Sequence, residues 1–134
     1  DAIHRRADRE LLAECRTLGG CETGKAKITK GYNLKAKYVI HTVGPICSTQ
    51  KNQASLLANC YKNSLDLALK HDIHSIAFPA ISTGVYHYPL EEATKIAIST
   101  VKTWLDMHKD YKLDIIFSCF DEKTYNMYQR YLEA

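Results

Sequence analysis

Apolar residues recur along this chain in two alternating rhythms, one typical of strands and one typical of helices. Short apolar or alternating runs predict four strands, at residues 26–29, 38–43, 75–80 and 114–120. Apolar residues three and four positions apart predict four helices, over residues 2–16, over residues 54–71, from Ala93 to Leu105 and after Asp121. The strands at 75–80 and 114–120 carry so few polar residues that we expect both to be buried.

Strands that alternate with helices predict a particular fold class. We expect an α/β protein, a three-layer α/β/α sandwich around a mostly parallel central sheet. Asp121 is the predicted N-cap of the last helix, whose inner face should carry Tyr125, Tyr128 and Leu132. Ligands of such sheets bind at the carboxyl ends of the strands, which here means the loop after Ala80 and the turn after Cys119.

The segment from Phe78 to Pro89 indicates a phosphate-binding loop. An apolar strand runs into a small loop rich in hydroxyl groups, with Ser82, Thr83 and Gly84, and a helix follows. Glycine lets the backbone approach a ligand closely, and free backbone N–H groups at a strand end and a helix N-terminus attract anions. From these residues alone, an ordinary strand-to-helix loop closed by Pro89 remains the alternative.

Composition narrows the class of protein further. A chain of 134 residues is expected to form one domain, and its net charge of +3 is too small to indicate nucleic acid as the main partner. No apolar run approaches the ~20 residues that span a bilayer, so no membrane association is expected. The five cysteines are scattered and odd in number, which predicts reduced thiols. We therefore expect an intracellular, reducing compartment, the cytoplasm, and a monomer.

Other residue pairs offer only weak chemistry. His4 and Asp8 lie one helical turn apart without further metal ligands, and the cysteines form no C-x-x-C pair, so no metal site and no cofactor are expected. His41 is interpreted as a hydrogen-bonded core histidine, and Cys119 as an inert thiol rather than a nucleophile. A cluster of lysines is interpreted as a solvated loop face, with nucleic-acid contact as the alternative: Lys25, Lys27, Lys30, Lys35 and Lys37.

Six segments, in order and across essentially the whole chain, resemble the macro domain family, and its MacroD-type branch in particular. They are Ala2-Ile3-His4-Arg5, Cys15-Arg16-Thr17-Leu18, Thr23-Gly24-Lys25-Ala26-Lys27-Ile28-Thr29, Tyr38-Val39-Ile40-His41-Thr42-Val43-Gly44-Pro45, Leu57-Ala58-Asn59-Cys60-Tyr61 and Phe78 to Tyr86. The resemblance implies binding of ADP-ribose and ADP-ribosylated proteins. It also implies a hydrolase that removes ADP-ribose from protein carboxylates and deacetylates O-acetyl-ADP-ribose.

The resemblance also assigns roles to individual residues. Ile81, Ser82, Thr83, Gly84, Val85 and Tyr86 resemble the loop that wraps the diphosphate and the distal ribose, with Tyr86 covering the pocket. Phe120 resembles the aromatic residue that packs beside the bound nucleotide. Ala2 and Ile3 resemble the start of the helix that follows the family's glycine-rich first loop, whose backbone N–H groups face the phosphates.

The beginning of the chain departs from the family pattern. Residue 1 is not Met, and residues 2–16 fall at once into helical spacing, so we expect one macro domain over residues 1–134 that lacks its N-terminal strands. In MacroD-type proteins a Val-Asp-Gly triplet precedes the segment that Ala2 begins here, and its Asp is implicated in catalysis. Direct abutment places Asp1 on the glycine of that triplet, whereas a one-residue deletion would make Asp1 the catalytic Asp.

Two other functions remain open at this stage. A module that binds ADP-ribosylated partners without catalysis would share the loop at residues 81–86. A nucleic-acid-binding module would instead use the lysine cluster, and its affinity should fall steeply as salt rises.

Overall fold

The computed structural model describes residues 19–32, 34–46, 52–83 and 86–133. Seven elements lie in this part of the chain. In order they are β1 (Ala26–Lys30), β2 (Tyr38–Thr42), α1 (Gln53–Lys70), β3 (Ser75–Pro79), α2 (Leu90–Met107), β4 (Asp114–Ser118) and α3 (Glu122–Glu133). The helix predicted over residues 2–16 lies outside the described residues.

The described strands form two pairs of opposite kind. β1 and β2 are antiparallel, with Ala26 opposite Thr42, whereas β3 and β4 are parallel, with Pro79 opposite Ser118. α2 connects the two parallel strands, as a crossover helix does in an α/β fold. The parallel register matters for function, because it brings the segments that follow β3 and β4 to one edge of the sheet.

The core lies where α1, α2 and α3 meet the strands. Its buried side chains come from all of these helices and from β3, and include Leu57, Tyr61, Leu65, Phe78, Ala97, Val101, Trp104 and Tyr128. Burying each large apolar side chain contributes about 1.5–3 kcal/mol, so this cluster supplies most of the stabilisation that holds the helices on the sheet. The polar end of Trp104 is also satisfied, because its Nε1–H donates to Asp66 Oδ1 at 2.8 Å.

The prediction that β3 and β4 are buried strands is wrong for one of their faces. Ile76, Phe78, Ile115 and Phe117 pack against the core, but the residues between them do not, and Ile116 is 58% exposed. Successive side chains of a strand point to opposite faces of the sheet, and the described helices pack on the face that holds the core. An unbroken apolar run therefore did not distinguish strands covered on two faces from strands covered on one.

The predicted inner face of the last helix is only partly right. Tyr128 is buried, but Tyr125 and Leu132 are 52% and 46% exposed, and Thr124 takes a buried position instead. The buried stripe of α3 thus includes a threonine, which a search for apolar periodicity passes over. The predicted N-cap is confirmed, because the Thr124 backbone N–H donates to Asp121 Oδ1 at 2.8 Å.

Other element boundaries lie close to their predicted positions. The helix predicted over residues 54–71 is found at Gln53–Lys70, and the strand predicted over residues 75–80 at Ser75–Pro79. β4 ends at Ser118, two residues before the predicted end, so Phe120 follows the strand and does not belong to it. Within the described residues, no helix is long and apolar enough to cross a membrane.

Candidate functional site

The loop after β3 is held in place by hydrogen bonds to its own backbone and to the core. The Ile81 N–H donates to the Tyr61 hydroxyl oxygen at 3.4 Å, and the Thr83 hydroxyl donates to the Ala80 carbonyl at 3.1 Å. Further on, the Tyr88 N–H donates to the Ser82 carbonyl at 2.8 Å. Residues 81–83 are therefore attached to α1 and to the segment before α2, so these three residues are positioned before any ligand arrives.

Ser82 is the most unusual residue of this loop. Its φ of +67° lies in the left-handed region, which non-glycine residues seldom adopt. Its Oγ is buried, and no group within the described residues forms a hydrogen bond with it. A buried hydroxyl without a partner costs free energy, and such a combination of strain and an unsatisfied polar atom is typical of ligand sites.

The carboxyl end of β2 contacts the same loop. Gly44, just past that strand, is so close to Ser82 that a Cβ built on it would lie 2.0 Å from Ser82 Oγ. Gly44 was predicted only as part of a segment that resembles the macro domain family, and its contact with Ser82 was not predicted. Its signal in the sequence is the Gly44-Pro45 pair directly after an apolar strand, which marks a close approach of backbone as well as a stop.

Tyr61 is a second residue whose contact with the loop was not predicted from the sequence. It is 1% exposed in the middle of α1, and its ring packs against Phe78 of β3 with centroids 5.1 Å apart. Burial raises the pKa of Tyr61 well above its usual value, and the neighbouring Tyr128 hydroxyl raises it further. The neutral hydroxyl can therefore accept the hydrogen bond from Ile81 over the whole physiological pH range.

Phe120 lies at the edge of the sheet that also carries the loop. Because Pro79 pairs with Ser118 in the parallel register, the turn after β4 and the loop after β3 leave the sheet at the same end. The ring of Phe120 is fully exposed. A solvated aromatic ring beside a phosphate-type loop is suited to stack on a nucleobase, and its role beside the nucleotide stays a prediction.

Tyr86 completes the described part of the predicted loop. It is half-buried, and it precedes His87, which has a φ of +57°, and Tyr88, which is buried in the core. Its predicted role as the cover of the pocket stays a prediction. The other predicted site residues lie outside the described residues; they are Asp1, Ala2, Ile3, Gly84 and Val85.

Alternative chemistries find little support in the described residues. There, no three His, Cys, Asp or Glu side chains are grouped as a metal site would require. His41 Nε2 lies 2.9 Å from Thr29 Oγ1 across the β1–β2 pair, as expected for a hydrogen-bonded strand histidine. Burial raises the pKa of Cys119, and the charge of Asp121 raises it further, which disfavours the thiolate that a nucleophile needs.

Comparison with known proteins gives this geometry a family context. The Macro domain profile matches residues 1–97. The chain is 54% identical, over 99% of its length and 76% of the relative's, to a macro domain-containing protein of Mesorhizobium japonicum. It is 55% identical to ADP-ribose glycohydrolase MACROD1 of Rattus norvegicus over 97% of the chain, which spans about half (51%) of that protein.

Two solved structures have the same backbone fold as this chain. A Trypanosoma brucei macrodomain in complex with ADP-ribose matches with a TM-score of 0.91 and 44% identity, over 98% of this chain and 55% of that one. An Oceanobacillus iheyensis macrodomain with ADP matches with a TM-score of 0.89 and 40% identity, over 98% of this chain and 73% of that one. The predicted α/β sandwich is confirmed by these matches, and the chain belongs to the macro domain family.

Proposed function

We propose that this domain binds ADP-ribose and acts as a hydrolase on ADP-ribosyl esters, either those on protein carboxylates or O-acetyl-ADP-ribose. One observation carries the proposal. The loop at residues 81–83, with its buried Ser82 hydroxyl, lies at the sheet edge that also carries Phe120. The names of the relatives support the same class of ligand, since one is an ADP-ribose glycohydrolase and one was solved with ADP-ribose.

The way in which ADP-ribose would bind follows from the hydrogen-bond donors and the aromatic ring at the sheet edge after β3 and β4. A diphosphate needs several N–H or O–H donors at fixed positions, and the loop offers backbone N–H groups together with the hydroxyl of Ser82, whereas the Thr83 hydroxyl already donates to the Ala80 carbonyl. The Ser82 hydroxyl is buried beside Gly44 and has no partner within the described residues, so it would have to turn to donate to a phosphate oxygen but would give up no other bond in doing so. An aromatic ring such as Phe120 then supports the nucleoside.

Hydrolysis requires little more than positioning. A water oxygen attacks one of two carbon atoms and gives up a proton. If it attacks the anomeric carbon of the distal ribose, the bond from that carbon to the ester oxygen breaks and the carboxylate leaves. If it attacks the ester carbonyl carbon, the acyl C–O bond breaks, and the ribose oxygen leaves and takes up a proton. Holding the diphosphate far from the reacting bond lets binding energy orient the scissile ester toward that water. A carboxylate can orient or deprotonate the water, and Asp1 is the candidate in this chain if it occupies the catalytic position.

The ligand assignment can be tested by calorimetry on the full-length protein. We expect ADP-ribose to bind more tightly than ATP, which lacks the second ribose, and more tightly than NAD, which carries nicotinamide on the anomeric carbon of that ribose. Equal or tighter binding of ATP would contradict the proposal. We also propose ADP-ribosylated proteins of the cytoplasm as the partners of this domain. The domain should bind such proteins only if it prefers ADP-ribose to ATP and NAD.

The catalytic assignment needs a separate assay. Release of ADP-ribose from a glutamate-modified protein is measured for the wild type and for Asp1→Ala, with ADP-ribose affinity checked in both. Binding without any release would favour a module that only recognises ADP-ribose. We expect Asp1→Ala to lose a few fold in turnover, because direct abutment places it at the glycine position of the family triplet. A loss of ~100-fold at unchanged affinity would make Asp1 catalytic.

A further inference from the structure

Gly44 occupies a place where no side chain fits, and the obstacle is the predicted phosphate loop. A Cβ on Gly44 would lie 2.0 Å from Ser82 Oγ, 2.7 Å from Ile81 Cγ2 and 3.3 Å from Ser82 Cβ. Contacts below 3.0 Å require something to move. The φ of Gly44 lies outside the left-handed region, so an alanine could adopt its backbone conformation. Glycine is therefore required at position 44 because a side chain would clash, and not because of its backbone conformation.

The β2 side of this contact is firmly held. The Val43 carbonyl accepts hydrogen bonds from the Gly24 N–H at 2.9 Å and from the Cys60 thiol at 3.3 Å. Pro45, on the other side of Gly44, is among the most completely buried side chains of the described residues. The backbone around Gly44 is thus fixed to the β1 side and to α1, and it has little freedom to retreat from a new methyl group.

Ser82, on the loop side of this contact, has more freedom to move, but its movement would weaken the binding of a ligand. Ser82 has a left-handed φ, and its carbonyl is held by the Tyr88 N–H at 2.8 Å. Its hydroxyl is buried without a partner within the described residues, so the side chain can turn or rise. A methyl group on Gly44 would therefore displace Ser82 and Ile81, and with them the part of the loop to which the proposed function assigns the diphosphate.

We propose that Gly44 is a positioning residue for the phosphate loop, setting the height of residues 81–83 above the sheet edge and thereby the affinity for the diphosphate. This inference rests on the proposed function, since it concerns the same ligand. It adds a residue from another strand, one that need not touch the ligand. Three contacts accordingly position the loop: the hydrogen bonds with Tyr61 and Tyr88 and the close approach of Gly44.

The test is a double-mutant cycle with ADP-ribose as the titrant and the full-length protein as the sample. Gly44→Ala should weaken ADP-ribose binding by about tenfold, as expected when an extra methyl group overpacks a close contact. Ser82→Gly removes both Ser82 atoms that the new Cβ would meet. In that background, Gly44→Ala should therefore cost less than about threefold, because only the Cγ2 methyl of Ile81 remains in the way.

Gly31→Ala is a matched control. A Cβ on Gly31 would lie 1.9 Å from the Ala36 carbonyl oxygen, a clash as close as that at Gly44, but in the turn between β1 and β2. We expect Gly31→Ala to lower the melting temperature and to leave the ADP-ribose affinity of the folded protein unchanged. A loss of affinity in this control equal to that in Gly44→Ala would overturn the inference, because it would show a general response to destabilisation.

The remaining outcomes are equally decisive. A wild type that does not bind ADP-ribose contradicts the proposed function, whereas a wild type that binds and a Gly44→Ala variant that binds equally well contradict only the inference. If Gly44→Ala does not fold but Gly44→Ala/Ser82→Gly does, the contact with Ser82 is the cause and the inference stands. If both fail to fold, Gly44 serves the fold and not the loop, and the inference is wrong.

Discussion

At the scale of single residues, Tyr61 shows how a core side chain can serve a binding loop. Its ring is buried against Phe78, and its hydroxyl oxygen accepts the hydrogen bond of Ile81 N–H at 3.4 Å. Replacing the hydroxyl leaves the packing almost unchanged but removes an acceptor from a backbone N–H that is otherwise partly buried. The same atom thus contributes to stability and to the position of the loop.

Tyr61→Phe should therefore have a measurable effect on both properties. We expect the free energy of unfolding to fall by about 1 kcal/mol, which is typical for the loss of one hydrogen bond, and ADP-ribose affinity to fall a few fold. Denaturant unfolding and calorimetry measure the two quantities. Tyr111→Phe is the control, because the Tyr111 hydroxyl donates to the Ile73 carbonyl at the other end of β3. A loss of affinity in the control variant as large as in Tyr61→Phe would contradict the assignment.

At the scale of elements, the sequence predicted helices better than it predicted which faces they bury. The apolar residues of α1, from Leu57 to Ala68, have clear helical spacing, and the helix is found where that spacing places it. In α3 the buried stripe includes Thr124, a polar residue that apolar spacing does not count, and Tyr125 was predicted to be inside although it is exposed. Apolar spacing identifies a helix reliably, but it identifies the buried face only when that face is purely apolar.

The N-cap of α3 leads to a prediction about acid stability. Asp121 accepts a hydrogen bond from the Thr124 N–H, and this bond, with the Thr124 side chain, lowers the pKa of Asp121 below its usual value. A lowered pKa means that the cap contributes fully above the usual Asp pKa of about 3.9 and is lost as pH falls through the lower folded value. Stability should therefore fall in acid partly because Asp121 becomes protonated.

Two substitutions separate the effect of the N-cap hydrogen bond of Asp121 from the effect of its negative charge. Asp121→Ala should lower the melting temperature by a few degrees at pH 7, because the Thr124 N–H loses its acceptor. Asp121→Asn keeps a side-chain oxygen and should retain most of the stability at pH 7, while the contribution of this residue no longer depends on pH. Melting curves between pH 3 and pH 7 measure both effects. The same acid-dependent loss in Asp121→Asn as in the wild type would show that other carboxylates are responsible.

At the scale of the whole molecule, the site depends on contacts that local patterns do not contain. The loop at residues 81–83 could be identified from its hydroxyl and glycine content, and the resemblance to the macro domain family gave it a ligand. The contact between Gly44 and Ser82 could not be identified, because it joins the ends of β2 and β3 across two separate strand pairs. Register and strand order bring such residues together, and single-sequence periodicity does not determine either one.

The nucleic-acid alternative rests on the lysine cluster, whose members lie at both ends of the β1–β2 pair: Lys25 and Lys27 lie beside Thr42 and His41, at the carboxyl end of β2. Lys35 and Lys37 are exposed in the turn before β2, whereas Gly44 and the loop lie beyond the other end of that strand. Five strand residues span roughly 17 Å, so these lysines are too far from the site to neutralise a bound diphosphate directly. Their charge would matter for a nucleic acid that covers a wide surface, but much less for one molecule of ADP-ribose.

Salt dependence should therefore distinguish a pocket for one ligand from a surface for a polymer. Between 50 and 200 mM salt, a protein that contacts 6–10 phosphates of a duplex loses about 10³–10⁵ in affinity, whereas a ligand with one diphosphate should lose less than about tenfold. We expect the smaller loss for ADP-ribose, measured by calorimetry at both concentrations. Lys35→Gln/Lys37→Gln should leave that affinity unchanged. If this double variant weakens ADP-ribose binding as much as Gly44→Ala does, the ligand binds near the β1–β2 turn and not at the loop after β3.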